Sequence, residues 1–328
     1  MDNKLLAITM GDPAGIGPEI TLKALKNKEP YKGCMPIIIG DKNVITRVSS
    51  IVNFDGEVNV IKDVKKYKDG KLNLVSLDNM SFDYAFGKVQ ARCGRAAFEY
   101  IKKAIELALD GSIHAVVTAP INKEALNLAG FSYAGHTEIF AEFTSTKDYA
   151  MMLAGDRLKA IHVSTHVSLR QACDLVKKER VYAVIKLAGK AMKDLGLPSP
   201  KIAVAGLNPH AGESSMFGLE EKEQITPAIH QAKEEGMNVE GPFPPDTILL
   251  HVKDGLYDIA VCMYHDQGHI PLKLYDFRGF VNVTVGLPII RTSVGHGTAF
   301  DKAGKAVADE TNMIKAINMA AKLARNKA

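Results

Sequence analysis

Three histidines stand just after apolar runs, in polar segments carrying glycine or proline. They are His166 in Val163-Ser164-Thr165-His166, His210 in Gly206-Leu207-Asn208-Pro209-His210-Ala211-Gly212, and His265 in Tyr264-His265-Asp266-Gln267-Gly268-His269. Neutral imidazole is a common ligand for divalent transition metals, and three of them leave a coordination position open for chemistry. One such residue reads as a strand cap or a partner for a loop carbonyl; three in equivalent settings read as a metal set. His162 precedes His166, but on a strand-like segment positions four apart lie roughly 13 Å from each other, too far to share an ion. His269 could join His265 only if residues 266–268 were helical, and Gly268 argues against a helix there.

A basic and polar set follows: Lys273, Asn282 in Val281-Asn282-Val283-Thr284, and Arg291 in Pro288-Ile289-Ile290-Arg291-Thr292-Ser293. A cation beside strand-like runs reaches carboxylate or phosphate well, and arginine does so bidentately. Near the start, Gly11-Asp12-Pro13-Ala14-Gly15-Ile16-Gly17-Pro18-Glu19 is a glycine-rich loop feeding a helix. It is neither G-x-G-x-x-G nor a P-loop, so both standard nucleotide fingerprints are missing. By itself it is a tight turn that needs glycine at positive φ. His296-Gly297-Thr298-Ala299, followed by Asp301, is a second glycine-bearing turn.

The elements that must position these groups alternate along the whole chain. Strands are expected at 5–10, 35–40, 115–119, 149–153, 159–164, 201–205, 259–263 and 281–285, where continuous apolar runs suit strands covered on both faces. Ala97, Ile101, Ala104, Ile105 and Ala108 recur at helical spacing, ended by Gly111. Pro18 and Pro120 sit where the first turn of a helix would start. Such alternation gives an α/β class with a mostly parallel sheet, whose ligands gather at the carboxyl ends of strands. With 41 Lys+Arg against 37 Asp+Glu, the net charge of +4 is too small to signal nucleic acid or membrane, but it suits a small anionic ligand. No run of about 18 apolar residues exists, and Met1-Asp2-Asn3-Lys4 leads straight into a strand-like segment, so neither a span nor a signal peptide is expected. Cys34, Cys93, Cys173 and Cys262 form no C-x-x-C pair, which reads as reduced thiols in a cytoplasmic protein.

Together these segments resemble a known superfamily. Gly15-Ile16-Gly17-Pro18-Glu19 and His296-Gly297-Thr298-Ala299 are similar to the two signature segments of the isocitrate/isopropylmalate-dehydrogenase-like enzymes. Those are metal-dependent β-decarboxylating dehydrogenases that bind NAD(P) without a Rossmann fold. Within them, Thr118-Ala119-Pro120-Ile121-Asn122-Lys123, Gly135-His136-Thr137-Glu138, Leu207-Asn208-Pro209-His210-Ala211-Gly212-Glu213, Tyr264-His265-Asp266-Gln267-Gly268 and Gly286-Leu287-Pro288-Ile289-Ile290-Arg291 resemble the 4-hydroxythreonine-4-phosphate dehydrogenase family. The likeness covers essentially the whole chain.

The resemblance implies a two-domain α/β/α fold with the active site in a cleft, residues 1–130 and 300–328 forming one domain and 131–299 the other. It implies that His166, His210 and His265 bind one divalent ion (Zn, Mg, Mn or Co), with the site completed across a homodimer interface. It implies substrate contacts from His136, Thr137, Lys273, Asn282 and Arg291, and NAD contacts from His296, Gly297, Thr298, Ala299 and Asp301. Gly295 stands where the family shows Asp before His-Gly, so no side-chain contact is expected from that position. Asp246 and Asp266 are candidates for the general base, since an Asp near a metal and a cation can exchange protons.

Lys147-Asp148-Tyr149-Ala150-Met151-Met152 and Gly268-His269-Ile270-Pro271-Leu272-Lys273 look more like the branch acting on 4-phospho-D-threonate or 4-phospho-D-erythronate. The expected reaction oxidises the C3 hydroxyl of such a sugar-acid phosphate with NAD and then loses CO2, giving dihydroxyacetone phosphate. The alternative is the 4-hydroxy-L-threonine-phosphate dehydrogenase of vitamin B6 biosynthesis. A zinc hydrolase built on the same histidines would leave both signature turns unexplained.

Overall fold

Runs such as Ile37-Ile38-Ile39 and Ala203-Val204-Ala205, buried throughout, are strands covered on both faces. A computed structural model describes residues 3–26 and 33–327. Met1 and Asp2, read above as leading into the first strand, lie outside the described residues. The chain divides into two units, one of Met1–Thr146 with Leu287–Asn326 and one of Lys147–Gly286.

The first unit begins β1 (Lys4–Thr9), α1 (Gly17–Lys26), β2 (Cys34–Gly40), α2 (Lys42–Val52), β3 (Val58–Ile61) and β4 (Leu72–Ser76). It continues α3 (Ala91–Leu109), β5 (Ala115–Thr118), α4 (Lys123–Leu128) and α5 (His136–Phe143). The second unit contains β6 (Ala150–Ala154), β7 (Lys159–His162), α6 (Leu169–Asp174), α7 (Lys178–Asp194), β8 (Ile202–Ala205), α8 (Thr226–Glu234) and β9 (Val239–Phe243). It ends with α9 (Ile248–Lys253), β10 (Ile259–Cys262), α10 (His265–Tyr275) and β11 (Val281–Val285). The chain then returns to the first unit as β12 (Arg291–Ser293) and α11 (Thr311–Asn326).

Strands of the first unit run in the order β3-β4-β2-β1-β5-β12, and every pairing among them is parallel. Those of the second run β11-β6-β7-β10-β8-β9. There β6 is antiparallel to both β11 and β7, and the rest are parallel. The core of the second unit packs α9 and α10 on this sheet through Ile248, Leu249, Val252 and Leu272 against Leu153, Ala160, Ala203 and Ala260. The α/β class and mostly parallel sheet expected from the alternation are those observed.

Several local expectations give way. Pro120 does not open a helix: the next one starts at Lys123 behind the N-cap Asn122, whose side chain accepts from Ala125 N. The division expected after residue 130 falls instead after Thr146. Phe131 stacks on Phe98 of α3 at 3.9 Å, so α5 belongs with the first unit. Residues 287–299 go with it too, because β12 pairs β5 with Arg291 beside Val116. Finally, residues 266–268 are helical: α10 starts at His265 and runs through both Gly268 and Pro271.

Candidate functional site

In the first unit three elements bring a cluster of polar groups together around Arg291. Arg291 on β12 is only 2% exposed, and its Nη2 donates to Thr118 Oγ1 of β5 at 2.9 Å. Its Nη1 reaches Thr137 Oγ1 of α5 at 3.4 Å, and the guanidinium lies 5.6 Å from the Phe140 ring. Burial pushes the Arg291 pKa down to about 9, with Glu138 pulling the other way, so the group stays charged at neutral pH. His136 hydrogen-bonds the Ala119 backbone; burial foremost, and then Arg291, hold it well below the usual histidine range. Its Nε2 is buried without a hydrogen-bond partner among the described residues.

The two signature turns meet within this unit. Ile16 N donates to Thr298 O at 3.0 Å, and a Cβ on Gly15 would stand 3.0 Å from the Thr298 Cβ, so glycine is what permits the approach. Glu19, fully buried, accepts from Gly304 N at 2.5 Å and Ala306 N at 2.9 Å. Gly11 has φ +74° and its Cβ would strike Pro120 O, which satisfies the tight-turn reading of this loop. In the second turn Gly295 N donates to Asn312 Oδ1 of α11 at 2.5 Å, so position 295 contributes backbone. His296 bonds Gly297 O through Nδ1 and leaves Nε2 buried without a hydrogen-bond partner among the described residues. Gly297 and Asp301 are exposed, Thr298 and Ala299 half-buried, and Ala299 takes a left-handed φ of 40°.

The second unit carries all three histidines of the metal set. His166, His210 and His265 follow β7, β8 and β10, and β10 lies between the other two in a parallel arrangement. The three residues thus leave the carboxyl ends of adjacent strands, where parallel sheets collect ligands. The rings of His166 and His265 are 6.1 Å apart. Imidazoles sharing an ion through bonds of about 2.0–2.1 Å have centroids no more than roughly 6.4 Å apart, so this pair can face one ion. His265 Nδ1 is 2.6 Å from Asp266 Oδ1. A carboxylate only accepts, so Nδ1 carries a proton, and such an Nδ1–H to carboxylate bond is the pattern that orients metal-binding histidines. Among the described residues no three His, Cys, Asp or Glu side chains converge as an ion would require.

His210 stands apart, exposed in a 3-10 turn spanning Pro209–Gly212. From His210 to Ser215 every residue has a positive φ: 52, 52, 83, 41, 55 and 74°. Non-glycine residues in this region cost roughly 1–2 kcal/mol each, so the turn must be held from outside.

Helix α10 puts His265, His269 and Lys273 on one stripe at i, i+4 and i+8. The rings of His269 and His265 stack at 3.5 Å and 12°, so their nitrogens do not converge on one point. His269 Nδ1 donates to His265 O at 3.0 Å, and His162 Nδ1 to Met151 O at 3.0 Å. Burial, helped by the neighbouring rings, drives His269 down to about 2, while burial takes His162 to about 4; both are neutral. Gly268 lets the helix lie over His162, because a Cβ there would stand 2.4 Å from His162 Nε2. Lys273 is half-buried on α10, and Asn282 on β11 leaves Oδ1 buried without a hydrogen-bond partner among the described residues. Asp246 lies exposed in the turn before α9, and Asp266 is engaged with His265. Sequence reasoning passed over Glu19 and Glu221, buried carboxylates whose only trace is an acidic residue beside a helix start.

Known proteins resemble this chain in sequence and fold. The chain is 47% identical over 329 residues to the D-threonate 4-phosphate dehydrogenase of Salmonella typhimurium, covering 99% of this chain and 100% of that one. Its structure matches that of a 4-hydroxythreonine-4-phosphate dehydrogenase from Klebsiella pneumoniae with a TM-score of 0.88 and 44% identity, over 98% and 99% of the two chains. A β-decarboxylating dehydrogenase from Thermococcus kodakarensis shares the fold at 13% identity and a TM-score of 0.50, over 97% of this chain and 81% of that one. The sequence profile described as pyridoxal phosphate biosynthetic protein PdxA matches residues 32–320, and the chain belongs to that family.

Proposed function

We propose that the protein is an NAD- and divalent-metal-dependent dehydrogenase that oxidises C3 of 4-phospho-D-threonate or 4-phospho-D-erythronate and decarboxylates the product to dihydroxyacetone phosphate. Full-length similarity to named dehydrogenases of phosphorylated four-carbon substrates supports the class. The observation that carries the reading is the stripe on α10, which sets a candidate metal ligand, His265, on the same helix face as the cation Lys273.

Within the first unit Arg291, Thr137 and His136 would take an anionic group; within the second, Lys273 and Asn282 would serve as polar contacts. His166, His210 and His265 would hold the ion, which supplies a Lewis acid for developing negative charge at the C3 oxygen. The unpartnered His296 nitrogen and the exposed Gly297 backbone suit polar atoms of NAD, which would take up the hydride. With Asp266 committed to His265, Asp246 is the base candidate with a free carboxylate surface.

A homodimer fits the same surface. Each histidine segment is followed by exposed apolar side chains: Leu169 after His166, Met216 and Phe217 after His210, Leu274 and Phe277 after His265. Such side chains mark interaction surfaces, and a second copy would both cover them and complete the ligand set. No described helix is long and apolar enough to cross a membrane, and a cytoplasmic location remains part of the proposal.

One observation favours the amino substrate, 4-hydroxy-L-threonine phosphate, as a second reading. His269 is uncharged and spends its Nδ1 proton on a backbone carbonyl, so it does not repel an ammonium as a protonated ring would. Reduced-nicotinamide absorbance, followed with each candidate acid and with metal supplied or chelated, tests the proposal. Turnover should need metal and favour the hydroxy acid phosphates. Chelation should abolish it, and His210→Ala should lose both metal and rate; a variant retaining both would remove His210 from the set.

A further inference from the structure

The segment leading into the left-handed turn that carries His210 is held by a buried side chain that takes no part in the chemistry above. Glu221 is 5% exposed and opens a π-turn, Glu221–Ile225; such insertions recur at functional sites. Its Oε1 accepts from Leu207 N and from Asn208 N, both at 2.7 Å, and its Oε2 accepts from Asn208 Nδ2 at 2.9 Å. The carboxylate is seated so closely that a Cβ on Gly212 would stand 2.8 Å from Oε2. On the other side of the same peptide segment, Gln267 Nε2 donates to Gly206 O at 2.8 Å while its Oε1 accepts from Met263 N at 2.6 Å. Residues 206–208, immediately before His210, are therefore pinned from both sides.

We propose that Glu221 is a positioning residue for His210, its carboxylate acting as the external hold that keeps the left-handed turn, and with it the imidazole, in place for a divalent ion. Charge-assisted acceptance of three N–H bonds is among the stronger anchors a loop can have. Strained backbone persists only where its surroundings over-determine it, and Glu221, with Gln267 and Glu220, fixes the segment that enters the strained turn. Substituting Glu221 by Gln replaces an acceptor with a donor against Asn208 Nδ2, loosening the grip while conserving shape. This inference rests on the metal reading of His210.

The test is titration of the metal-free full chain with Co(II), read by its visible absorption, for wild type, Glu221→Gln, His210→Ala and the double variant. Glu221→Gln should bind about ten- to a hundredfold more weakly, as outer partners of metal ligands do. In the His210→Ala background it should add nothing, because it acts through that residue. Asn208→Ala, which removes the Oε2 contact together with the bond from Asn208 Nδ2 to Glu220 Oε2 at 2.8 Å but keeps both backbone bonds to Oε1, should move affinity in the same direction by less and serves if Glu221→Gln does not fold. Hydrogen exchange at Leu207 and Asn208 should speed up in Glu221→Gln without any metal. Equal Co(II) affinity in wild type and Glu221→Gln, or an equal loss in both backgrounds, would overturn the positioning role alone. A wild-type chain that binds no Co(II) would remove the metal reading and this inference with it.

Discussion

Arg291 shows how much a single residue here depends on its neighbours. Its guanidinium is buried among Thr118, Thr137 and Phe140 with the Glu138 carboxylate acting on it, and an arginine fork fixed in this way presents donors in a geometry that suits an anion. Arg291→Ala should therefore lower kcat/KM by roughly tenfold to a hundredfold, the worth of a charge-assisted contact. Steady-state kinetics check this, and unchanged constants would remove Arg291 from the anion site. Dephosphorylated substrate should be poor for the wild type. His269 makes a subtler case. It touches His162 and His265 and donates inward, so its substrate-facing capacity is that of an acceptor. His269→Leu should disturb the seat of His265, lowering turnover on hydroxy and amino substrates alike. A change confined to one substrate would show instead that His269 reads C2.

At the scale of elements, α10 sets the positions of His265, His269 and Lys273 in the second unit. Gly268 and Pro271 obscured it in the sequence, since both disfavour helices when counted by propensity. Packing explains the exception: Gly268 sits where the helix crosses His162 and Ala160, and Leu272 fills the core behind. Gly268→Ala would force a methyl against a buried ring with nowhere to go. It should cost about 1–3 kcal/mol in chemical denaturation, as overpacking does, and should raise KM through Lys273. A neutral result would mean the helix can slide.

Elements with long apolar runs were legible because burial on both faces writes itself into composition. The missed ones lack that mark. β12 is Arg-Thr-Ser, a polar triplet buried by pairing β5 and packing under α11, where Thr292 Oγ1 donates to Ala316 O, and β3 lies at an edge with Val60 at 45% exposure. The histidines were legible as residue types after strands, but which strands are neighbours is a property of topology that local sequence does not carry. For the same reason Glu221, distant in sequence from the loop it grips, left no local signal.

For the molecule as a whole, buried histidines make stability depend on pH. His136 and His162 are held neutral below the usual histidine value, mainly by burial, with His162 at about 4. Their stabilising contribution is complete above the unfolded value of 6.5 and is lost as pH falls toward 4, because only the unfolded chain takes up those protons. Asp12, raised to about 6 by burial, works the other way: its contribution is present below 3.8 and lost as pH rises through 6. Each histidine contributes a slope of about 1.4 kcal/mol per pH unit, so net stability should fall between pH 6.5 and 4.5. Denaturation of the chelator-treated chain at several pH values measures this. His162→Asn, which keeps a donor for Met151 O, should make the slope shallower, and an unaltered slope would exclude His162 as a source.

The first unit has a consequence for how the protein is made. Its strand β12 and helix α11 are encoded after residue 286, behind the entire second unit. At about 5–20 residues per second, a ribosome reaches them roughly 7–28 s after completing residue 146. During that interval β5 has an open edge where β12 will pair, and the pocket that needs Arg291 has no cation. The second unit, continuous in sequence, can finish folding first. Nascent chains paused before β12 would thus hold the histidines in place while presenting an unpaired parallel edge, which is where a chaperone would be expected to engage.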